Sequence, residues 1–144
     1  MSDKIQVLVK DIMTEQVVTT RENEPIKNVV HLMLRDRISG MPVLNEESKV
    51  CGVVTTTDLF KILGELIIDR SFGSYDHMFS DRQITVEQVM TKNAVTVAPT
   101  NAVEEVIKLS VYKGIHTFPV VENDVLVGIL GKRDILNAGF SFVE

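Results

Sequence analysis

The chain states one pattern twice. VKDIMTEQVVTTRENEPIKNVVHLML, from Val9, returns as VEQVMTKNAVTVAPTNAVEEVIKLSV, from Val86. Met13-Thr14 reappears as Met90-Thr91 and Ile38 to Val43 as Ile115 to Val120, both displaced by 77 residues. The endings Gly52 to Asp58 (GVVTTTD) and Gly128 to Asp134 (GILGKRD) are displaced by 76. One residue is therefore missing from the turn between two short apolar runs, where a deletion disturbs least. Repetition on this scale constrains architecture before any local signal does, because each copy must bury its apolar face against something. Two copies predict a pseudo-twofold module whose halves bury a shared face and leave a cleft between them.

Within each copy the hydrophobic period changes in the same order. An extended run, Gln16 to Thr20 or Asn93 to Val97, precedes a helix whose apolar positions fall three and four apart: Ile26, Val29, Val30, Met33 and Leu34, against Val103, Val106, Ile107 and Val111. Asn23 and Thr100 are the expected N-caps, and Pro25 suits a first turn where a missing N–H costs little. Two β-branched runs follow, Met41 to Leu44 with Val50 to Thr55 and Phe118 to Val121 with Val125 to Leu130. Asn, Asp and Ser in the intervening segments predict hairpins. A second helix starts at about Asp58 and about Asp134. The predicted fold class is α/β (α+β), with two β-α-β-β-α repeats at 1–68 and 84–144 joined by a connector at 69–83.

The second helix of the first copy is unusually apolar, with Leu59, Phe60, Ile62, Leu63, Leu66, Ile67 and Ile68. Such a helix is covered on more than one side, either inside the chain or at a subunit interface. The tail Phe140-Ser141-Phe142-Val143 raises the same question. A homodimer through the helices after Asp58 and Asp134 is expected.

Charge and composition exclude several classes. The net charge of −5 comes without a basic stripe, so nucleic acid and membrane surfaces find no electrostatic footprint. A single cysteine, Cys51, cannot form an internal disulfide and reads as a buried structural thiol. His31, His77 and His116 lack the spacing of metal ligands. Neither a nucleophile elbow nor an acid–base pair is evident, so no enzyme is expected. With no signal peptide, transmembrane stretch or lipidation motif visible, the chain is expected to be cytoplasmic.

Chemistry concentrates in the repeated Gly-to-Asp ending. A strand closing at Val54-Thr55 passes directly into a helix whose first turn holds Thr57 and Asp58. Backbone N–H groups and the positive end of the helix dipole favour an anionic or hydroxyl-rich ligand there. A carboxylate three residues past a hydroxyl can hold both hydroxyls of a ribose. The same residues are also ordinary helix caps, and both readings stand at this point.

The ordered motifs, D-I-M-T and Q-V-M-T, I-S-G-M-P-V and I-H-T-F-P-V, then the two endings, resemble a tandem cystathionine-β-synthase (CBS) domain pair, or Bateman module, from about Val7 to Leu136. The resemblance implies two repeats packed as a pseudo-twofold disc and a regulatory module in place of a catalyst. It implies no required cofactor and, as effector, an adenine nucleotide (AMP, ADP or ATP) or S-adenosylmethionine in a cleft between repeats. An unknown effector protein would be the partner.

Carried over by position, the first site would use Thr55 and Asp58, opposite Thr91, Ala94, Val95, His116, Thr117, Phe118 and Pro119. His116 falls where some members place a phosphate-contacting basic residue. The second would use Lys132, Arg133 and Asp134, opposite Thr14, Val17, Val18 and Ser39. Gly131 stands where the first copy has Thr55, so the first site is favoured for ribose. Lys132 and Arg133 either reach phosphates or form a solvated helix start. The competing reading is a ligand-free dimerisation scaffold.

Overall fold

The computed structural model describes residues 6–69 and 84–143. In chain order they form α1 (Val9–Ile12), β1 (Thr20–Arg21), α2 (Ile26–Asp36), β2 (Gly40–Leu44), β3 (Val50–Thr55) and α3 (Thr56–Asp69). The second copy supplies α4 (Val86–Val89), β4 (Thr91–Lys92), α5 (Val103–Lys113), β5 (Thr117–Glu122), β6 (Val125–Gly131) and α6 (Lys132–Val143). The class is mixed α/β. The chain divides into two compact units at the Val17/Val18 and Asn93/Ala94 junctions. One unit, here the Asp58 unit, runs from Val18 to Asn93; the other, the Asp134 unit, joins the chain up to Val17 with the chain from Ala94 onward. Each unit therefore combines the body of one repeat with the opening of the other.

In the Asp58 unit the strand order is β1-β2-β3-β4, with β1 parallel to β2 and the other two pairs antiparallel. Ile26, Val29 and Met33 of α2 pack on Met41, Val43 and Val54 of the sheet and on Val86 of α4. Their three- and four-residue spacing puts them on one helical face, which is why that face buries.

The Asp134 unit repeats this register in a contracted form. β5 and β6 pair antiparallel, flanked by single bridges from Val97 to Val120 (parallel) and from Thr14 to Ile129 (antiparallel). These match Thr20 with Val43 and Thr91 with Val53 in the first unit. Its core is Val9, Val97, Val106, Phe118, Val120 and Leu130. Even the β-bulges correspond, at Val43/Leu44 and at Val120/Val121. Asn123 and Asp124, at φ of 51° and 64°, form the tight turn that twisted hairpins favour.

Several boundaries differ from the sequence expectation. The extended runs reduce to β1 and the bridge at Val97, because the chain passes from one unit to the other just before them. The second helices start at Thr56 and Lys132, two residues earlier than expected, which leaves Asp58 and Asp134 in the first turn. Asn23 and Thr100 are not N-caps; Pro25 and Ala102 hold those positions, with no side-chain bond. A backbone carbonyl replaces the missing cap. The Ile26 amide donates to the Ile84 carbonyl and the Val103 amide to the Val7 carbonyl, both at 2.9 Å. α2 and α5 are thus each capped by the opening of the other repeat, and an orphan amide is satisfied without a polar side chain.

The apolar α3 is packed inside the chain on one side only. Leu59 and Ile62 pack on the core and Leu66 is buried, whereas Phe60 and Ile68 are 74% and 82% exposed. On α6, Leu136 and Phe140 are likewise exposed. The connector, apart from its first residue Asp69, lies outside the described residues, as do His77 and the side chains of Ser141, Phe142 and Val143. Cys51 is half-buried where a buried thiol was expected. Its Sγ–H donates to the Val43 carbonyl at 3.4 Å, and burial followed by the nearby Glu22 charge pushes its pKa up.

Candidate functional site

The repeated dipeptide Met-Thr and the repeated glycine explain each other. A Cβ built on Gly52 would lie 2.7 Å from the Thr91 carbonyl oxygen and 2.9 Å from Met90 Sδ. On Gly128 it would lie 2.7 Å from Met13 Sδ and 3.1 Å from the Thr14 carbonyl oxygen. At Gly52 the clash is with backbone, so only glycine lets the second repeat's opening cross that strand; at Gly128 it is first with the flexible Met13 side chain, which would have to shift. The short helices of the openings are fixed from within. Leu8 N–H donates to Asp11 Oδ2 and Thr85 N–H to Gln88 Oε1, both at 2.9 Å, which gives a role to the D of D-I-M-T and the Q of Q-V-M-T.

That crossing delivers a threonine hydroxyl to each acidic helix start. In the Asp58 unit, Thr91 Oγ1 donates to Asp58 Oδ1 at 3.2 Å. Asp58 Oδ2 accepts from Thr55 N–H at 2.9 Å and from Thr55 Oγ1 at 3.1 Å, and Asp58 N–H returns to Thr55 Oγ1 at 3.3 Å. In the Asp134 unit, Thr14 Oγ1 shares its proton between Oδ1 and Oδ2 of Asp134 at 3.2 and 3.4 Å. Gly131 N–H donates to Asp134 Oδ2 at 2.9 Å. Both carboxylates are half-buried. They therefore cap the strand–helix junction, but not with all the acceptor capacity a carboxylate has.

Of the expected first-site residues, the structure brings together Thr55, Asp58 and Thr91; Ala94, Val95 and residues 116–119 belong to the other unit. There Val95 packs on the core, Phe118 is fully buried in it, and Thr117 and Pro119 are buried with it. His116 is exposed, with Nδ1 at 3.3 Å from Ser110 Oγ. Because the Ser110 hydroxyl gives its proton to the Ile115 carbonyl, the imidazole must be the donor in that contact.

Of the second-site residues, Thr14 and Asp134 meet, and Lys132 and Arg133 stand exposed beside them in sequence without an ion-pair partner among the described residues. Val17 shares their unit. Val18 packs in the other core and Ser39 accepts Thr56 N–H through its carbonyl at 2.9 Å. Sequence reasoning missed the steric demand at Gly52 and Gly128; the signal was present, since a glycine and a Met-Thr recur together in both copies. Among the described residues no cluster of three or more His, Cys, Asp or Glu could hold a metal ion.

Comparison with known proteins follows the same lines. The homoserine O-acetyltransferase of Methanococcus vannielii is 32% identical over 139 residues, covering 95% of this chain and 25% of that protein. The chain thus spans about a quarter of that relative's length. An uncharacterised protein of Methanocaldococcus jannaschii is 28% identical over 153 residues, covering 92% of this chain and 90% of the other. Among solved structures, the CBS domain pair of protein MJ0100 in complex with 5′-methylthioadenosine and S-adenosyl-L-methionine superposes with a TM-score of 0.76. It is 25% identical, covering 92% of this chain and 99% of that one. The CBS domain profile matches residues 9–65 and again 86–141, and with two such matches over most of its length this chain belongs to the CBS domain family, as a pair.

Proposed function

We propose that this chain is a regulatory module that binds an adenosyl ligand, AMP, ADP, ATP or S-adenosylmethionine, by its ribose and relays occupancy to an effector protein. One observation carries the reading: each repeat ends in a half-buried carboxylate at a helix start, held by a hydroxyl from the other repeat's opening. A ribose presents two vicinal hydroxyls, and a carboxylate in such a position accepts both as charge-assisted hydrogen bonds. The complex of the MJ0100 domain pair with two adenosyl compounds supports the ligand class. Where a ligand that engages a carboxylate displaces a bond joining two repeats, it favours one arrangement over another, as any effector must.

Lys132 and Arg133 are the source of positive charge for phosphates, and His116, exposed in the same unit, stays a proposed phosphate contact. Of the remaining expected site residues, Val17 shares a unit with the carboxylate it was expected to serve and stays a proposed base contact of the second site. The acetyltransferase activity of the longer relative is not assigned to this segment, which reads as a binding module and not a catalyst. Location in the cytoplasm belongs to the same proposal; among the described residues no helix is long and apolar enough to cross a membrane.

A thermal-shift screen with AMP, ATP, S-adenosylmethionine and 5′-methylthioadenosine tests the reading. A ligand at 100 times its dissociation constant should add about 2.7 kcal/mol of stability. By calorimetry, Asp58→Ala and Asp134→Ala should each weaken ribose binding at their own end by about 2–4 kcal/mol. Equal affinity in the wild type and both variants would refute the assignment.

The second reading, a dimerisation scaffold without ligand, is favoured by one feature. Phe60 and Ile68 on α3, with Leu136 and Phe140 on α6, leave apolar surface on both second helices. A homodimer through those helices is compatible with either reading. Light scattering should give twice the chain mass at micromolar concentration, and a monomer mass would exclude it.

A further inference from the structure

The two carboxylates differ in how many acceptor positions they have left. A carboxylate offers about four, two on each oxygen. At Asp58, Oδ2 accepts two donors, Thr55 N–H and Thr55 Oγ1, while Oδ1 accepts Thr91. At Asp134, Oδ2 accepts Gly131 N–H, and the single proton of Thr14 lies between the two oxygens. A vicinal diol needs two positions. At Asp134 it finds two: one on each oxygen when the Thr14 proton settles on Oδ1, the nearer, or both on Oδ1 when it settles on Oδ2. At Asp58 the second oxygen is full, and the diol falls to Oδ1, where Thr91 already sits.

This difference traces to one residue. Thr55 and Gly131 occupy the same place in the two endings, and only Thr55 brings a hydroxyl to the carboxylate. Glycine at 131 is not demanded by space. A Cβ there would meet Asp134 Oδ2 at 3.8 Å, an ordinary contact, unlike the clashes at Gly52 and Gly128. Of the donors at Asp58, Thr91 is also the one that can leave. Thr55 Oγ1 is held on its other side by Asp58 N–H, whereas Thr91 comes from 33 residues away, is exposed, and touches the carboxylate through one oxygen.

Resting on the ribose grip proposed above, we infer that the two ends have different jobs: Asp134 takes a ribose diol while keeping its internal bonds, and Asp58 takes one only by releasing the Thr91 hydroxyl. Asp134 is the tighter, passive end. Asp58 is the weaker end, where occupancy breaks a tie to the second repeat's opening and so reaches β4 and the Met90-Thr91 crossing over Gly52. Thr91 is then the positioning residue that couples ligand to chain movement. The order is the reverse of what the extra hydroxyl of Thr55 suggests at first sight.

Calorimetric titration of the full chain with 5′-methylthioadenosine, which lacks phosphate and so leaves Lys132 and Arg133 out of the comparison, separates the possibilities. With the Asp134 end removed by Asp134→Ala, Thr91→Val should tighten the remaining site about five-fold, one net hydrogen bond's worth, and Thr91→Ser should restore the weaker affinity. With the Asp58 end removed by Asp58→Ala, Gly131→Thr should weaken the remaining site by a similar factor. Both changes should vanish with a 2′-deoxy analogue. Binding in the wild type with unchanged or weaker affinity in Thr91→Val, or with no effect of Gly131→Thr, overturns this inference alone. No heat in the wild type overturns the reading of the site and this inference with it.

Discussion

The Asp58 and Asp134 ends grow from one repeated pattern and are tied by the same partner, a threonine hydroxyl from the other repeat's opening. They differ in tightness. At Asp58 the opening forms a two-residue strand, β4, against β3, and the carboxylate accepts three hydrogen bonds. At Asp134 the opening makes a single bridge to β6, and the carboxylate holds one backbone amide and one shared hydroxyl proton. Duplication supplied two equal frames. A threonine in one and a glycine in the other gave them unequal capacity for a ligand.

The largest expected effect comes from blocking the crossings. Gly52→Ala sets a methyl 2.7 Å from a backbone oxygen, whereas the nearest atom at Gly128 is the sulfur near the end of a flexible methionine. Denaturant unfolding should show Gly52→Ala destabilising by about 3 kcal/mol and Gly128→Ala by about 1–2 kcal/mol. Equal losses would mean that the two crossings are equally rigid.

Next come the carboxylates themselves, in the absence of ligand. Asp58→Ala removes three accepted bonds and Asp134→Ala two, so the first should cost about 2 kcal/mol and the second about 1 kcal/mol. A reversed order in urea titrations would contradict the counting on which the inequality rests.

A smaller asymmetry lies at the ends of α2 and α5. Both helices close with a left-handed residue, Arg37 at φ 54° in the first copy and Gly114 at φ 67° in the second. Arg37→Gly should stabilise by about 1 kcal/mol, and Gly114→Ala should destabilise by about the same. The smallest effect is expected at Cys51, whose counterpart is Val127. Cys51→Val exchanges a weak thiol bond for a similar volume and should shift stability by less than about 1 kcal/mol. Matched melting curves of these variants would check both.

Much of this frame was legible in the sequence. The apolar spacing at Ile26, Val29 and Met33, and the β-branched runs around Asn45 and Asn123, produced the helix and hairpins where expected, because burial and turn chemistry are local signals. The exchange of openings was not locally legible, for a physical reason. Met13-Thr14 and Met90-Thr91 are the same dipeptide facing the same glycine, so packing on one's own repeat or on the other satisfies an identical pattern. Only the family resemblance put Thr91 opposite Asp58 and Thr14 opposite Asp134. The N-caps were misassigned to Asn23 and Thr100 for a related reason, since a distant backbone carbonyl does the capping and leaves no polar signature. How Thr55 divides the acceptor capacity of Asp58 is a matter of single hydrogen bonds, which no residue pattern encodes.

The most direct test of the central claim is a crystal structure of the chain soaked with 5′-methylthioadenosine. The account predicts ribose hydroxyls within about 3 Å of the Asp134 carboxylate and, as occupancy rises, of Asp58 Oδ1 with the Thr91 hydroxyl turned away. A nucleoside bound with its ribose clear of both carboxylates, their threonine bonds intact, would contradict it.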